Sequence, residues 1–221
     1  MLISLENISK TYKSKKETIK VLDSIDLKIS KGSISTIFGN SGVGKSTLLS
    51  IICGILRPDN GKIKIDSNIV TPENAHLIRK EKFGILLQDS NLLNEFTVKE
   101  NLLLPQIINN VKYKDAIDRI ENLVSFLNMS DYLARYPSEI SRGEYQRISL
   151  LRSLSNSPKI IIADEPTANL DENNCKQLLN LVVKLNKELG ITFIIATHDS
   201  RFLKISNKIF KLFNGKIIQN E

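Results

Sequence analysis

The nonapeptide Gly39-Asn40-Ser41-Gly42-Val43-Gly44-Lys45-Ser46-Thr47 sets a glycine four residues ahead of Gly-Lys-Ser, a spacing that suits the cradling of phosphate. Glycines let the backbone curl until several N–H groups aim at one phosphate, with the positive end of a helix behind them. Lys45 then offers a point charge to the outer phosphates, Ser46 a hydroxyl to Mg²⁺, and Thr47 a reach toward the inner phosphates. A flexible glycine loop beside a surface lysine would use the same letters. However, Ser35-Thr36-Ile37-Phe38 reads as a strand before the loop and Leu48-Leu49-Ser50-Ile51-Ile52 as a helix after it, the context that phosphate binding requires.

Four further residues fit the hydrolysis of a phosphoanhydride, which needs a metal, a group to orient or deprotonate water, and donors for the charge that builds on the transferred group. Ile160-Ile161-Ile162-Ala163, after Lys159, is a continuous apolar run that ends in Asp164 and Glu165, as in a strand buried on both faces whose tip reaches solvent. Asp164 can hold Mg²⁺ with Ser46, and Glu165 can face the attacking water. Gln88, at the end of Phe83-Gly84-Ile85-Leu86-Leu87, is read as the tip of a central strand and can bridge metal and water. His198 closes the run Ile191 to Ala196 and can donate to the γ-phosphate. The plainer alternatives are a solvated acidic loop for Asp164 and Glu165 and a structural role for His198.

These groups need elements to hold them. Residues 1–38 read as a β region, with Ile25, Leu27 and Ile29 alternating with polar residues and Tyr12 in a polar stretch between strands. Pro58-Asp59-Asn60-Gly61 is a turn before the alternating Lys62 to Asp66, expected as an antiparallel edge of sheet. Thr97-Val98-Lys99-Glu100 and Ser141-Arg142-Gly143-Glu144 both fit capping boxes. Ile117, Ile120, Leu123, Val124 and Leu127 carry helical spacing, as do Leu178, Val182, Leu185 and Leu189 ahead of Gly190. Asn214-Gly215 between two short β runs is a hairpin signal. The block 89–157 is the candidate helical subdomain, set between core segments 1–88 and 158–221.

The chain has 221 residues, 41% of them hydrophobic and 25% charged, which fits one large α/β domain. No apolar run approaches the roughly 20 residues that span a bilayer, and the first six residues lack a basic start followed by an apolar stretch. A cytoplasmic protein that reaches a membrane only through a partner is expected. Two cysteines, Cys53 and Cys175, are too few for a disulfide framework or a zinc site. The net charge of +7 is spread among many acids, so a solvated surface is expected rather than direct nucleic-acid binding.

Taken together, the phosphate loop, Gln88, Ile140 to Arg147, Ile160 to Glu165, Ala168-Asn169-Leu170-Asp171 and His198 give a chain that resembles the nucleotide-binding subunit of an ABC transporter over nearly its whole length. The stretch Leu87 to Leu93, with Phe96-Thr97-Val98, Asn101-Leu102, Pro105 and Glu144, resembles the group serving lipoprotein release and macrolide or antimicrobial-peptide efflux. The resemblance implies an α/β fold with a P-loop NTPase core and mostly parallel sheet, an antiparallel β subdomain and an inserted helical subdomain.

It further implies an ATPase that uses ATP and Mg²⁺ and energises a separate integral membrane permease at the inner face of the cell membrane. Two copies would close head to tail on two ATP molecules, with Ser141 and Gly143 of one meeting the γ-phosphate held by the other. Tyr12 would stack on adenine, Asp171 would lie across the interface, and Glu165 would act as base. A family member that signals to a membrane partner without moving a substrate is the alternative. A nucleic-acid-associated relative would need insertions for which this length leaves no room, and a GTPase would need a base-reading Asn-Lys-x-Asp motif. Arg142 stands where the family signature usually has Gly. A cation in a helix's first turn opposes the helix dipole, so Arg142 either meets the partner's nucleotide or an acid across the interface, or points into solvent.

Overall fold

The computed structural model describes residues 1–14, 17–87 and 92–220. Strands β1 (Ile3–Lys13) and β2 (Thr18–Ile29) form a long antiparallel hairpin, with Ile3 opposite Ile29 and Leu5 opposite Leu27. Tyr12 belongs to β1, opposite Ile19, rather than to a connection between strands. Register shifts at three points let the hairpin bend, and cross-strand pairing holds Ser9 to Lys13 in the ladder despite their polarity. β3 (Ile34–Phe38) leads to the glycine loop and α1 (Lys45–Ile52). β4 (Asn60–Ile65) and β5 (Asn68–Ile69) then complete a four-stranded sheet in the order β2-β1-β4-β5. The antiparallel region is thus a sheet of its own, not an edge of the core sheet.

The remaining elements are α2 (Ala75–Lys82), β6 (Phe83–Leu86), α3 (Val98–Ile108), α4 (Tyr113–Phe126), α5 (Arg142–Leu154), β7 (Ile160–Asp164), α6 (Glu172–Leu189), β8 (Thr192–Thr197), β9 (Lys208–Phe213) and β10 (Lys216–Asn220). Six strands form the second sheet in the order β10-β9-β3-β8-β7-β6, parallel except for the β9–β10 hairpin. β6 is therefore the edge strand of this sheet, where the sequence reads it as central.

The sheet separates two apolar layers. Ile161, Ala163, Phe193 and Ile195 pack with α3, α4, α5 and α6, whereas Ile160, Ile162, Ile194 and Ala196 pack with α1 and the antiparallel sheet. This two-sided burial explains why β7 and β8 read as unbroken apolar runs. Phe193 is fully buried, and its truncation to alanine would cost about 3–5 kcal/mol.

Local signals fix the helix ends. Thr97 and Ser141 each cap a helix through reciprocal bonds with Glu100 and Glu144, and Gly190 closes α6 in the left-handed conformation at φ 66°. Asn214 and Gly215 both have positive φ, as the tight β9–β10 turn requires. Among the described residues no helix is long and apolar enough to cross a membrane.

Candidate active site

β3, β8 and β7 are neighbours in the parallel sheet, with Phe38 beside Thr197 and Asp164 beside Ala196. Their carboxyl ends emerge together, the place where open α/β sheets bind ligands. The glycine loop follows β3, Asp164 ends β7 with Glu165 just beyond it, and His198 follows β8.

The loop needs its glycines for space. A Cβ on Gly39 would lie 2.7 Å from the Leu212 carbonyl oxygen, and one on Gly44, where φ is 103°, would lie 2.6 Å from Val21 Cγ1. Asn40, Ser41 and Gly42 are exposed, and Val43, Gly44 and Thr47 half-buried. Lys45 is buried and its ammonium donates to the carbonyl oxygens of Gly39 and Asn40, both at 2.9 Å.

Glu165 is the hub. Its Oε1 lies 3.0 Å from Lys45 Nζ, while Oε2 lies 3.0 Å from His198 Nδ1 and accepts the Thr197 hydroxyl at 2.9 Å. Burial pushes the Glu165 carboxyl up, but the bonds from His198, Lys45 and Thr197 outweigh it and leave the group below the usual glutamate range. The donors hold the carboxylate in its ionised form, the form able to accept a proton. Its own φ is +45°, a left-handed conformation that a glutamate adopts only when its surroundings enforce it.

Asp164 behaves in the opposite way. Burial pushes its carboxyl up, a hydrogen bond with Ser46 works against this, and Oδ1 is buried without a hydrogen-bond partner among the described residues. An unpaired carboxylate oxygen beside a serine hydroxyl is a donor set of the kind a hard divalent cation takes.

The other sequence-derived residues stand apart from this cluster. Ser141 caps α5, and Glu144 accepts the Tyr132 hydroxyl at 2.8 Å besides its capping bond. Gly143 is buried against α6, where an added Cβ would stand 1.9 Å from Asn174 Oδ1. Arg142 is exposed, and no ion pair joins it to the described residues of its own chain. Asp171 caps α6, accepting from the Asn174 backbone at 2.8 Å and from its side chain at 2.6 Å. Tyr12 is 45% exposed with Lys10 Nζ 6.0 Å from its ring centre. Gln88 lies outside the described residues.

Sequence reasoning missed Thr167, Thr197, Asp199 and Arg201. Thr167 donates to Asp199 Oδ2 at 2.8 Å, and Arg201 grips both oxygens of that carboxylate. The available signal was the pair of charges two residues apart just after His198.

A phosphate loop at one strand end, two acids at another and a histidine at a third, on a parallel sheet flanked by a helical layer, define a nucleoside-triphosphatase of the P-loop class. The family model "ABC transporter" matches residues 22–168, and the chain belongs to the ABC transporter family. It is an ATPase, the nucleotide-binding subunit that powers a membrane permease.

Its relatives agree with this. The lipoprotein-releasing system ATP-binding protein LolD of Rickettsia bellii is 38% identical over 98% of this chain and 97% of its own length. The dimeric structure of MJ0796, a bacterial ABC transporter cassette, superposes with a TM-score of 0.88 at 32% identity, covering 100% of this chain and 98% of that one. A dimeric post-hydrolysis state of MJ0796 bound to ADP and Pi matches equally well, with a TM-score of 0.88 and 32% identity over the same shares of both chains.

Proposed function

We propose that this ATPase energises a permease that releases lipoproteins from a membrane, working as a peripheral subunit on the membrane's inner face. The observation that carries this reading is the full-length match to the LolD protein at 38% identity. A role in signalling without a substrate is not favoured by that likeness. Co-expression with its permease in vesicles loaded with a lipoprotein, followed by ATP addition, tests the assignment. ATP-dependent release supports it, and ATP turnover without release overturns it.

Within the site, the loop Gly39 to Thr47 holds the ATP phosphates, with Lys45 turning from Glu165 to the outer phosphates. Asp164, Ser46 and Gln88 would hold Mg²⁺, which gathers phosphate charge when bound. Glu165 takes the proton of the attacking water, and His198 donates to the γ-phosphate. Tyr12 stacks on the adenine.

A second copy supplies Ser141, Arg142, Gly143, Glu144 and Asp171 to the seam. Arg142 meets the partner's nucleotide, a role supported by its exposure and by the lack of an ion-pair partner among the described residues of its own chain. Glu165→Gln should bind ATP, lose turnover and accumulate closed dimers, whereas unchanged turnover would refute the base. Arg142→Gly should weaken ATP-driven dimerisation, and an undiminished dimer would refute its contact. The permease docks near the surface around residues 89–103, of which 89–91 lie outside the described residues.

A further inference from the structure

Asp199 joins the loops that carry Glu165 and His198 by two routes. Its carboxylate accepts the Thr167 hydroxyl at 2.8 Å, two residues beyond Glu165. Its backbone N–H donates to Thr197 Oγ1 at 3.0 Å, and that hydroxyl donates onward to Glu165 Oε2 at 2.9 Å. Arg201 fixes the carboxylate itself, with Nε at 2.8 and 3.0 Å from its two oxygens, Nη2 at 2.7 Å from Oδ2, and the backbone N–H at 2.9 Å from Oδ1. The Asp199 side chain is only 12% exposed and Thr167 only 6%. Both Asp199 carboxylate oxygens and the Thr167 hydroxyl are thus paired within the protein.

Glu165 needs such a frame. Its backbone is left-handed at φ +45°, and a non-glycine residue stays there only where neighbours over-determine it. Main-chain bonds from Glu165 N–H to the Ala196 carbonyl at 2.8 Å and from Ala168 N–H to the Glu165 carbonyl at 3.0 Å hold its peptide units. Beyond that main-chain bond to β8, the side chains of Thr167, Thr197 and Asp199 tie the loop to the end of β8.

We propose that Thr167, Asp199 and Arg201 form a positioning clamp that holds the Glu165 carboxylate in its water-activating direction, so that hydrolysis depends on three residues that make no contact with the nucleotide or the attacking water. This rests on Glu165 being the base. Arg201 grips Asp199 in bidentate fashion, which a lysine cannot reproduce.

The test compares steady-state ATP turnover and equilibrium ATP binding of the full-length protein carrying Thr167→Val, Thr167→Ser, Asp199→Asn or Arg201→Lys. Displacing a reacting group by about 1 Å costs on the order of 100-fold, so Thr167→Val and Asp199→Asn should lower kcat by about 10- to 100-fold with KM and ATP affinity unchanged. Arg201→Lys should fall in the same direction, and Thr167→Ser, which keeps the hydroxyl, should restore turnover. In a Glu165→Gln background Thr167→Val should cause no further loss.

Wild-type kcat in both Thr167→Val and Asp199→Asn overturns the clamp while leaving the base intact. Parallel loss of kcat and ATP binding overturns it as well, since that marks a general structural role. If Asp199→Asn fails to fold, the valine and serine variants at 167 carry the decision. Undiminished turnover in Glu165→Gln alone removes the base and the clamp together.

Discussion

Lys45 Nζ stands 3.0 Å from Glu165 Oε1, with only 5% and 13% of the two side chains exposed. The ammonium that should meet phosphate is thus paired with the carboxylate that should activate water. Lys45 also donates to the Gly39 and Asn40 carbonyls, so on the proposed roles a phosphate that takes up the ammonium would compete with Glu165 for it. Under that proposal, the nucleotide that brings the phosphate would also free the Glu165 carboxylate.

This competition has a measurable consequence for the product nucleotide. Glu165→Gln removes the competing charge and should bind ADP, without metal, about 3- to 10-fold more tightly, or about 0.7–1.4 kcal/mol. Calorimetry with ADP avoids turnover and ATP-driven closure. An affinity equal to or below that of the unmodified protein would show that the pair does not compete with phosphate.

Gly143→Ala should destabilise the contact between α5 and α6. The new Cβ would sit 1.9 Å from Asn174 Oδ1, and Asn174 cannot swing aside freely because its amide is held by Asp171 at 2.6 Å and its oxygen accepts from Arg147 at 3.4 Å. Overpacking of this kind costs about 1–3 kcal/mol. The urea midpoint should fall, and Asn174→Ala in the same chain should recover most of the loss; an unmoved midpoint would mean that the loop absorbs the methyl.

Thr97→Ala removes the hydroxyl that accepts from Glu100 N–H at 3.3 Å and opens the capping box of α3. The expected loss is about 1 kcal/mol, read as a lower urea midpoint with ADP affinity unchanged. A coupled drop in affinity would tie this cap to the nucleotide site.

Acid should erase the contribution of Asp199. Burial pushes its carboxyl up, but Arg201, through side chain and backbone, and the Thr167 hydroxyl prevail and hold it below the ordinary value of 3.8. A carboxyl with a lowered native pKa stabilises fully above its unfolded pKa and loses that stability as pH falls through the native one. The Tm gap between the parent protein and Asp199→Asn should be widest near neutrality and close as pH falls from about 5 toward 3. A gap independent of pH would show that the charge contributes nothing.

Much of the site was legible in the linear chain because its signals are local. Gly39 to Thr47 must curl to present N–H groups, and an apolar run such as Ile160 to Ala163 ending in Asp164 must be a buried strand with its tip at the surface. Thr97 with Glu100 and Ser141 with Glu144 are three residues apart, so a capping box follows from spacing alone. The helix α2 was missed because its eight residues bury none of their number and so carry no apolar stripe.

What the sequence determined by itself was which residues are candidates for phosphate chemistry and, for the glycine loop, Asp164 and His198, the local element that bears each, since backbone conformation and burial act over a few neighbouring residues. Only the tertiary structure decided that β6 lies at the edge, that Lys45, Glu165 and His198 meet, that Thr167 bonds to Asp199, and that Asn174 lies beneath Gly143. Those relationships depend on strand order and on side chains brought together across the sheet. No periodicity encodes them, because the partner of a hydrogen bond is chosen by distance in space.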